Sequence, residues 1–248
     1  MKKFFQGHVL PLLALELGIL SALLRGILYA EALDDRGLLP LFNFLEILLW
    51  ALTLGMIVSL FFAVRKMPRG NNYNANYPPS VCQAAAMGLS AIGFAVSSAI
   101  LLFSAADAVA TVSAILGILS GVVLLYLALC RWKGIRPSAL FPFVLCLFFI
   151  VRLIYCYRLW SADPQLQNYL FPLLANVCAM LAGYYTTAFT DGNGNRKLHT
   201  FFHLAAAYFA IASLPVCEDI LFYLSLTLWL LADLCKFTAL IKKQKKTE

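Results

Sequence analysis

The chain has 248 residues, of which 62% are hydrophobic and 12% charged, with a mean hydropathy of +0.83. Soluble domains are about 45–50% apolar and about 25% charged, so this composition excludes a mainly soluble globular protein. The net charge of +7 is spread over short segments. That spread excludes a basic nucleic-acid-binding domain and favours contact with anionic lipid headgroups.

Apolar stretches recur along the whole chain and predict an all-α fold, a polytopic transmembrane helical bundle with eight spans. A spanning helix needs roughly 20 mainly apolar residues. The predicted helices are 8–30, 39–64, 82–103, 109–130, 140–160, 169–190, 199–215 and 219–241. The seventh is the shortest and ends at Pro215, so a seven-span bundle with a re-entrant seventh segment is the structural alternative. Because the connections are short, we expect residues 1–248 to form one integral membrane domain.

Lys and Arg are distributed unequally between the two sides of this predicted bundle. With an inner N-terminus, the inner segments carry nearly all of them, whereas the outer loops carry most of the acidic residues. Cytoplasmic loops carry the positive excess, so we predict that both termini are cytoplasmic. The short loops and the start MKKFF are typical of a bacterial protein of the cytoplasmic (cell) membrane. The final KKTE would also fit an endoplasmic reticulum retrieval signal in a eukaryotic protein.

The first two helices carry charges at similar depth. Arg25 and Glu46 each lie roughly 10 Å outside the midplane at about 1.5 Å per residue, and we predict that they form an intramembrane pair. The polar or aromatic side chains of Asn43 and Trp50 on the second helix are candidates for lining a cavity beside the charges near the midplane that are described below.

The segment 65–81 is rich in Asn, Tyr and Pro and is predicted to be a mobile inner loop. A weak similarity between residues 10–66 and 141–197 suggests two parallel four-helix repeats, with halves 1–130 and 131–248. Small residues spaced by four in the third and fourth helices permit close backbone approach. They predict either a tight hairpin or the face of a homo-oligomer.

Three ionisable residues fall within about 5 Å of the predicted midplane, on the first, fifth and eighth helices. They are Glu16, Arg152 and Asp233. Charges inside spans are costly and by default mark function, so we predict that these three form a proton or cation relay. An Arg bridge that locks three helices together is the structural alternative. Asn176 and Lys236 are further candidates for lining a cavity.

The segment TDGNGNRKLHTFFH, residues 190–203, is predicted to be a turn between two helices, because Gly and Asn tolerate left-handed backbone conformations. His199 and His203 lie four residues apart on one helical face. Together with His8 they are candidates for metal ligands, but weak ones, because no acidic residue accompanies His199 and His203 on the same helix. We therefore expect no metal and no cofactor. The seven cysteines show no C-x-x-C pair and predict neither a disulfide scaffold nor a zinc site.

Taken together, these features favour a transporter of a small solute or ion over an enzyme. The alternatives are a membrane-embedded enzyme that acts on lipid through the inner histidines, and a noncatalytic subunit or sensor of a membrane complex. The expected partners are the bilayer with its anionic headgroups and the transported solute or ion.

Overall fold

The computed structural model describes residues 9–31, 43–67, 70, 72–161 and 169–237, and every regular element in these ranges is a helix. The helices are α1 Val9–Glu31, α2 Phe44–Arg65, α3 Tyr73–Asn76, α4 Val81–Ser104, α5 Ala108–Lys133, α6 Leu140–Trp160, α7 Leu170–Asp191, α8 Arg196–Ser213 and α9 Ile220–Phe237. Except for the short α3, each corresponds to one predicted helix. The all-α prediction is confirmed.

Six of these helices, α1, α2, α4, α5, α6 and α7, are long and apolar enough to cross a membrane. Their outward faces carry large apolar side chains, including Phe103 (93% exposed) and Leu140 (76% exposed). Soluble proteins rarely expose continuous apolar surface of this kind. The chain is a membrane protein, whereas the spanning of α8 and α9 stays a prediction.

Helix α8 is the central helix of the bundle, in contact with α1, α2, α7 and α9. All ten residues from Leu204 to Ser213 are buried. Its hydropathy is lower than that of the other long helices because its neighbours are helices instead of lipid, so that small and polar side chains suffice. The predicted seventh helix was the least certain span because it was short and ended at Pro215, and in the structure α8 has only 18 residues.

The two ends of the bundle differ in charge. The end that carries Arg65, Arg131 and Lys197 is called the basic end below, and the end that carries Asp107 and Asp219 is called the acidic end. At the basic end, α7 finishes at Gly192 in a left-handed conformation (φ 94°), and the Asn195 side chain accepts hydrogen bonds from the first backbone N–H groups of α8. The predicted turn after residue 190 is confirmed, but it is shorter than predicted, because α8 begins at Arg196 and not at residue 199.

Part of the segment predicted to be a mobile loop forms the short helix α3. Asn72 caps this helix, and the side chains of Tyr73 and Tyr77 are 5% and 3% exposed. Mobility of this segment stays a prediction, although the two tyrosines are not solvated as in a polar loop, because their rings pack against Arg131 of α5 and the Tyr77 ring also packs against Phe237 of α9. Residues 68, 69 and 71 lie outside the described part of the chain.

Helices α4 and α5 form the predicted tight hairpin. A methyl group on Gly121 of α5 would lie 2.9 Å from the carbonyl oxygen of Ala91 on α4, so only glycine allows this approach. The four-helix repeat and the homo-oligomer face stay predictions.

Candidate functional site

A buried polar cluster surrounds Asp233 of α9 near the basic end, and we call Asp233, Arg131, His199, His203 and Tyr77 the basic-end cluster. The Asp233 side chain is 1% exposed. Its Oδ1 atom accepts a hydrogen bond from Arg131 Nη2 at 2.9 Å. Its Oδ2 atom accepts one from the Tyr77 hydroxyl at 3.1 Å and lies 3.4 Å from His199 Nε2 and 3.3 Å from His203 Nε2.

The chain assembles this cluster from four separate segments. His199 and His203 are one turn apart at the start of α8, and their rings stack with centroids 3.9 Å apart. Helix α9 runs alongside and supplies the carboxylate that the sequence of α8 lacks. Arg131 comes from the last turn of α5, and Tyr77 from the segment between α3 and α4.

The hydrogen bonds of His203 determine where its ring can carry a proton. Nδ1 lies 2.9 Å from the carbonyl oxygen of His199. A carbonyl only accepts, so Nδ1 is the donor, and in a neutral ring Nε2 then bears a lone pair. That lone pair finds no hydrogen-bond donor among the described residues, although it faces Asp233 Oδ2. Two acceptors therefore meet across 3.3 Å in a buried site, an arrangement that attracts a cation.

The two tyrosines are held in the neutral form. Burial raises the pKa of Tyr73 to about 12, against the opposing effect of Arg131, and burial together with the Asp233 charge raises the pKa of Tyr77 well above its usual range. Arg131 Nη1 donates to the Tyr73 hydroxyl at 2.7 Å, and the Arg131 guanidinium carbon lies 3.2 Å from the Tyr77 ring centroid. The Arg131 guanidinium is thus held in place by the Tyr73 hydroxyl, the Tyr77 ring and the Asp233 carboxylate.

A divalent metal ion is one cation that this geometry could hold. One nitrogen each from His199 and His203 and one oxygen from Asp233 lie within 4.8 Å of one another. The two predicted weak metal ligands are thus brought together with a carboxylate, while His8 lies outside the described residues. The Arg131 charge already neutralises Asp233, so a divalent ion would leave two uncompensated charges in a dry site. A proton would leave only one uncompensated charge and is therefore the more favourable cation at this site.

A second polar cluster lies at the acidic end. Arg152 of α6 is 3% exposed, and its Nη2 atom donates to Asp219 Oδ2 at 2.7 Å. Asp219 lies between α8 and α9, and 41% of its side chain is exposed. The pair borders a cavity of about 240 Å³, called the acidic-end cavity below. Nearby, Asn176 donates to the Tyr223 hydroxyl at 3.2 Å.

A continuous aromatic layer separates the two clusters. The Arg152 guanidinium carbon lies 3.5 Å from the centroid of Phe222, whose ring contacts Phe149 at 6.4 Å between centroids. Phe149 stacks on Trp229 at 6.2 Å, and Trp229 contacts His203 at 5.9 Å. These aromatic side chains are all buried. This run of ring contacts extends from the acidic end of α9 toward its basic end.

The predicted grouping of Glu16, Arg152 and Asp233 is wrong. Glu16 is exposed on the outer face of α1, Arg152 pairs with Asp219, and Asp233 pairs with Arg131. Depth along a helix is readable from the sequence, whereas the direction in which a side chain points around the helix depends on packing. The aromatic layer also separates Arg152 from Asp233.

The predicted pair of Arg25 and Glu46 is also wrong, since no ion pair joins these two described residues. Arg25 donates to the carbonyl oxygen of Ala212 at 3.1 Å and stacks on Phe171, while Glu46 Oε1 lies 3.5 Å from Trp50 Nε1. The two residues border one crevice of about 20 Å³ with Trp50. The pairing failed because the central helix α8 offers Arg25 a backbone acceptor.

The other predicted cavity residues have different roles. Asn43 caps α2, with its side chain accepting from the backbone N–H of Leu45 at 2.9 Å. Asn176 is buried and bonded to Tyr223. The side chain of Lys236 lies outside the described part of the chain.

A groove of about 980 Å³ lies between α2 and α8 at the basic end, and we call it the basic groove. Its walls include Phe61 and Phe201, and its rim includes Arg65 and Lys197. Lys197 Nζ donates to the Arg65 carbonyl oxygen at 2.7 Å. An apolar wall below a positive rim matches the chemistry of an anionic lipid at the membrane surface.

The sequence analysis missed Arg131, Tyr77 and Asp219 as members of these clusters. Arg131 was counted only as a loop charge that sets topology, although it lies two residues inside the end of α5. Asp219 was counted as an outer loop charge, and Tyr77 as part of a mobile segment. No local signal distinguishes these residues from solvated ones.

Comparison of the chain with protein-family models, with curated proteins and with solved structures gives no match.

Proposed function

We propose that the protein is a proton-coupled transporter of a small solute, and that the basic-end cluster binds the coupling proton. The observation that carries this proposal is the lone pair of His203 Nε2 facing Asp233 Oδ2 at 3.3 Å in a buried site. A proton on Nε2 turns that contact of two acceptors into an imidazolium–carboxylate hydrogen bond. Release of the proton restores the unfavourable contact, so protonation and local geometry are coupled.

The surroundings of His203 support a single transferable charge. The other groups that face the site are Arg131 from α5, Tyr77 before α4 and His199 from α8. Tyr77 stays a neutral donor, and Arg131 is engaged by Asp233 and Tyr73. The Nε2 lone pair of His203 is thus the one acceptor of this cluster that faces the carboxylate without a donor between them, among the described residues. Buried ionisable residues within membrane helices mark ion and proton pathways by default.

The aromatic layer supports transport because it closes the path between the two polar clusters. A transporter exposes its binding site first to one side of the membrane and then to the other, so it needs a barrier that blocks a continuous path between the two sides. Helix α9 carries Asp233 of the basic-end cluster and two residues of the layer, Phe222 and Trp229, and it begins directly after Asp219 of the acidic-end pair. A tilt of α9 would therefore change both sites together.

The test is proton uptake into proteoliposomes that contain the purified protein and a pH-sensitive dye. The external solution receives a pool of free amino acids, sugars and nucleosides. We expect the wild type to acidify the lumen when solute is added. The rate of this acidification should be at least tenfold lower in Asp233→Asn and in His203→Gln. Tyr208→Phe is the matched control, since it removes a buried hydroxyl bonded to Ser21 and Thr53 outside the cluster.

Three outcomes would overturn the proposal: no solute from the pool moves protons, both cluster variants keep the wild-type rate, or the control loses as much as they do. Metal analysis of the purified protein provides a further check. If the wild type contains stoichiometric zinc or iron and the Asp233→Asn variant does not, the cluster binds a metal ion instead of a proton.

A membrane-embedded enzyme acting on lipid is the second candidate function, favoured by the basic groove. The groove fits an anionic lipid, and α8 carries both the groove residue Lys197 and the cluster residue His199. The test is incubation with phosphatidylglycerol vesicles followed by mass spectrometry of the lipids. A modified headgroup formed by the wild type and lost in His199→Ala would replace the transporter proposal.

A further inference from the structure

We propose that the acidic-end cavity binds a small zwitterion that carries one carboxylate and one ammonium group, of the size of a free amino acid. The proposal begins with Arg152, whose side chain is 3% exposed and borders the cavity. One guanidinium nitrogen donates to Asp219, while the Nε–H group finds no acceptor among the described residues. A buried charged donor without an acceptor is costly, and a ligand carboxylate supplies that acceptor.

The mouth of the cavity has the opposite charge. Glu218 and Asp219 both border it, and Asp219 is 41% exposed. A ligand carboxylate on Arg152 would take the place that Asp219 now holds. The released Asp219, together with Glu218, would then accept hydrogen bonds from an ammonium group of the same ligand.

Several aromatic side chains with polar groups line the cavity, together with aliphatic residues such as Leu101 and Leu159. Tyr155, Trp160 and Tyr223 border the cavity, and the Trp160 ring stacks on that of Tyr169 with centroids 4.7 Å apart. Aromatic faces attract ammonium groups, and they also accept a short apolar side chain. The cavity thus offers a partner for each part of an amino acid.

Size and net charge exclude other ligand classes. A volume of about 240 Å³ is below the range of roughly 300–1,000 Å³ that is usual for drug-sized ligands. A simple anion would bind Arg152 but meet two carboxylates, and a simple cation would meet the guanidinium. Only a molecule with both charges satisfies all three groups.

This inference deepens the proposed function by naming the class of solute. Binding itself does not depend on transport, because the acidic-end cavity and the basic-end cluster share no residue. A binding measurement therefore separates a failure of this inference from a failure of the proposed function.

The experiment is the quenching of tryptophan fluorescence in purified wild-type protein on titration with four related probes. They are L-leucine, which carries both charges, leucinamide, which lacks the carboxylate, N-acetyl-leucine, which lacks the ammonium group, and 3-methylbutylamine. We expect saturable binding of L-leucine and at least tenfold weaker binding of the other three.

Variants of Arg152 and Asp219 test separately the groups that bind the carboxylate and the ammonium of the ligand. Arg152→Lys keeps a positive charge but loses the Nε–H donor and the planar fork, so we expect at least tenfold weaker L-leucine binding. Asp219→Asn should reduce the discrimination against N-acetyl-leucine. Arg158→Gln and Asp107→Asn are matched controls, because these two residues form a solvent-exposed ion pair at the same end, with 3.1 Å between Arg158 Nη1 and Asp107 Oδ2.

Equal binding of L-leucine and N-acetyl-leucine would overturn the inference in favour of an anion site. It would also be overturned if none of the probes binds to the folded wild type, or if Arg158→Gln weakens binding as much as Arg152→Lys does. If L-leucine binds through Arg152 while Asp233→Asn leaves proton uptake unchanged, the inference stands and the proposed proton coupling fails.

Discussion

The two ends of the bundle each contain an Arg–Asp pair, and the pairs differ in access to solvent. Arg131 and Asp233 are 4% and 1% exposed, whereas Arg152 and Asp219 are 3% and 41% exposed. The first pair is sealed and faces two histidines, and the second opens into a cavity. The same two residue types therefore provide a closed charge site at one end and an exchangeable one at the other.

This difference is a matter of where the carboxylate lies in the chain. Asp233 is in the body of α9, four residues before its described end, so that neighbouring helices surround it. Asp219 lies in the connection before α9, where water can reach it. An exposed carboxylate that leaves its arginine is solvated by water, whereas a buried one has no such compensation.

The largest expected effect comes from breaking the sealed pair. Arg131→Gln leaves the Asp233 carboxylate buried without its cation, which should lower the free energy of unfolding by about 3–5 kcal/mol. The measurement is thermal or denaturant unfolding in detergent, followed by tryptophan fluorescence. The double variant Arg131→Gln with Asp233→Asn should recover most of the loss, because no net charge then remains. A loss in the double variant as large as in the single one would show that packing, and not charge, is responsible.

Substitutions in the Arg152–Asp219 pair should lower the free energy of unfolding by less, and the loss should differ between the two residues. Asp219→Asn leaves the buried Arg152 charge unpaired and should cost about 2 kcal/mol. Arg152→Gln leaves only a partly solvated carboxylate and should cost about 1 kcal/mol. Both are measured by the same unfolding assay. Equal losses at the two positions, or a loss as large as that of Arg131→Gln, would contradict the assigned difference between the two ends.

The smallest expected effect tests how α5 is placed against α4, which sets the position of Arg131. Gly121→Ala brings a methyl group to 2.9 Å from the Ala91 carbonyl oxygen. We expect a loss of about 1–2 kcal/mol from overpacking. Gly88→Ala on α4 is the matched control, because nothing lies within 4 Å of its added methyl group. The control should be neutral or slightly stabilising by helix propensity, and a similar loss in both variants would contradict close packing at Gly121.

Much of the fold was predictable from the sequence. The predicted helix 82–103 corresponds to Val81–Ser104, and the predicted turn after residue 190 is the one made by Gly192 and Asn195. These features depend on local information, namely the length of an apolar run and the conformational range of Gly and Asn. The burial of Tyr73 and Tyr77 was not predictable in the same way, because it depends on Arg131 and Asp233, which are far away in the sequence.

The candidate sites show the same limit. Asp233 and the pair His199 and His203 were recognised as unusual, yet the aspartate and the two histidines were assigned to separate hypotheses because they lie on different helices, α9 and α8. Arg152 was recognised as well, but its partner Asp219 was not.

The sequence by itself determined that this chain is an all-helical membrane protein, because the length and hydropathy of each helix are written in consecutive residues. Only the tertiary structure decided which charges meet. The rotation of each helix about its axis, and the helix that lies beside it, result from packing across the whole bundle. Because of that packing, Glu16 faces outward and Asp233 contacts Arg131 and the two histidines. Arg152 borders an open cavity.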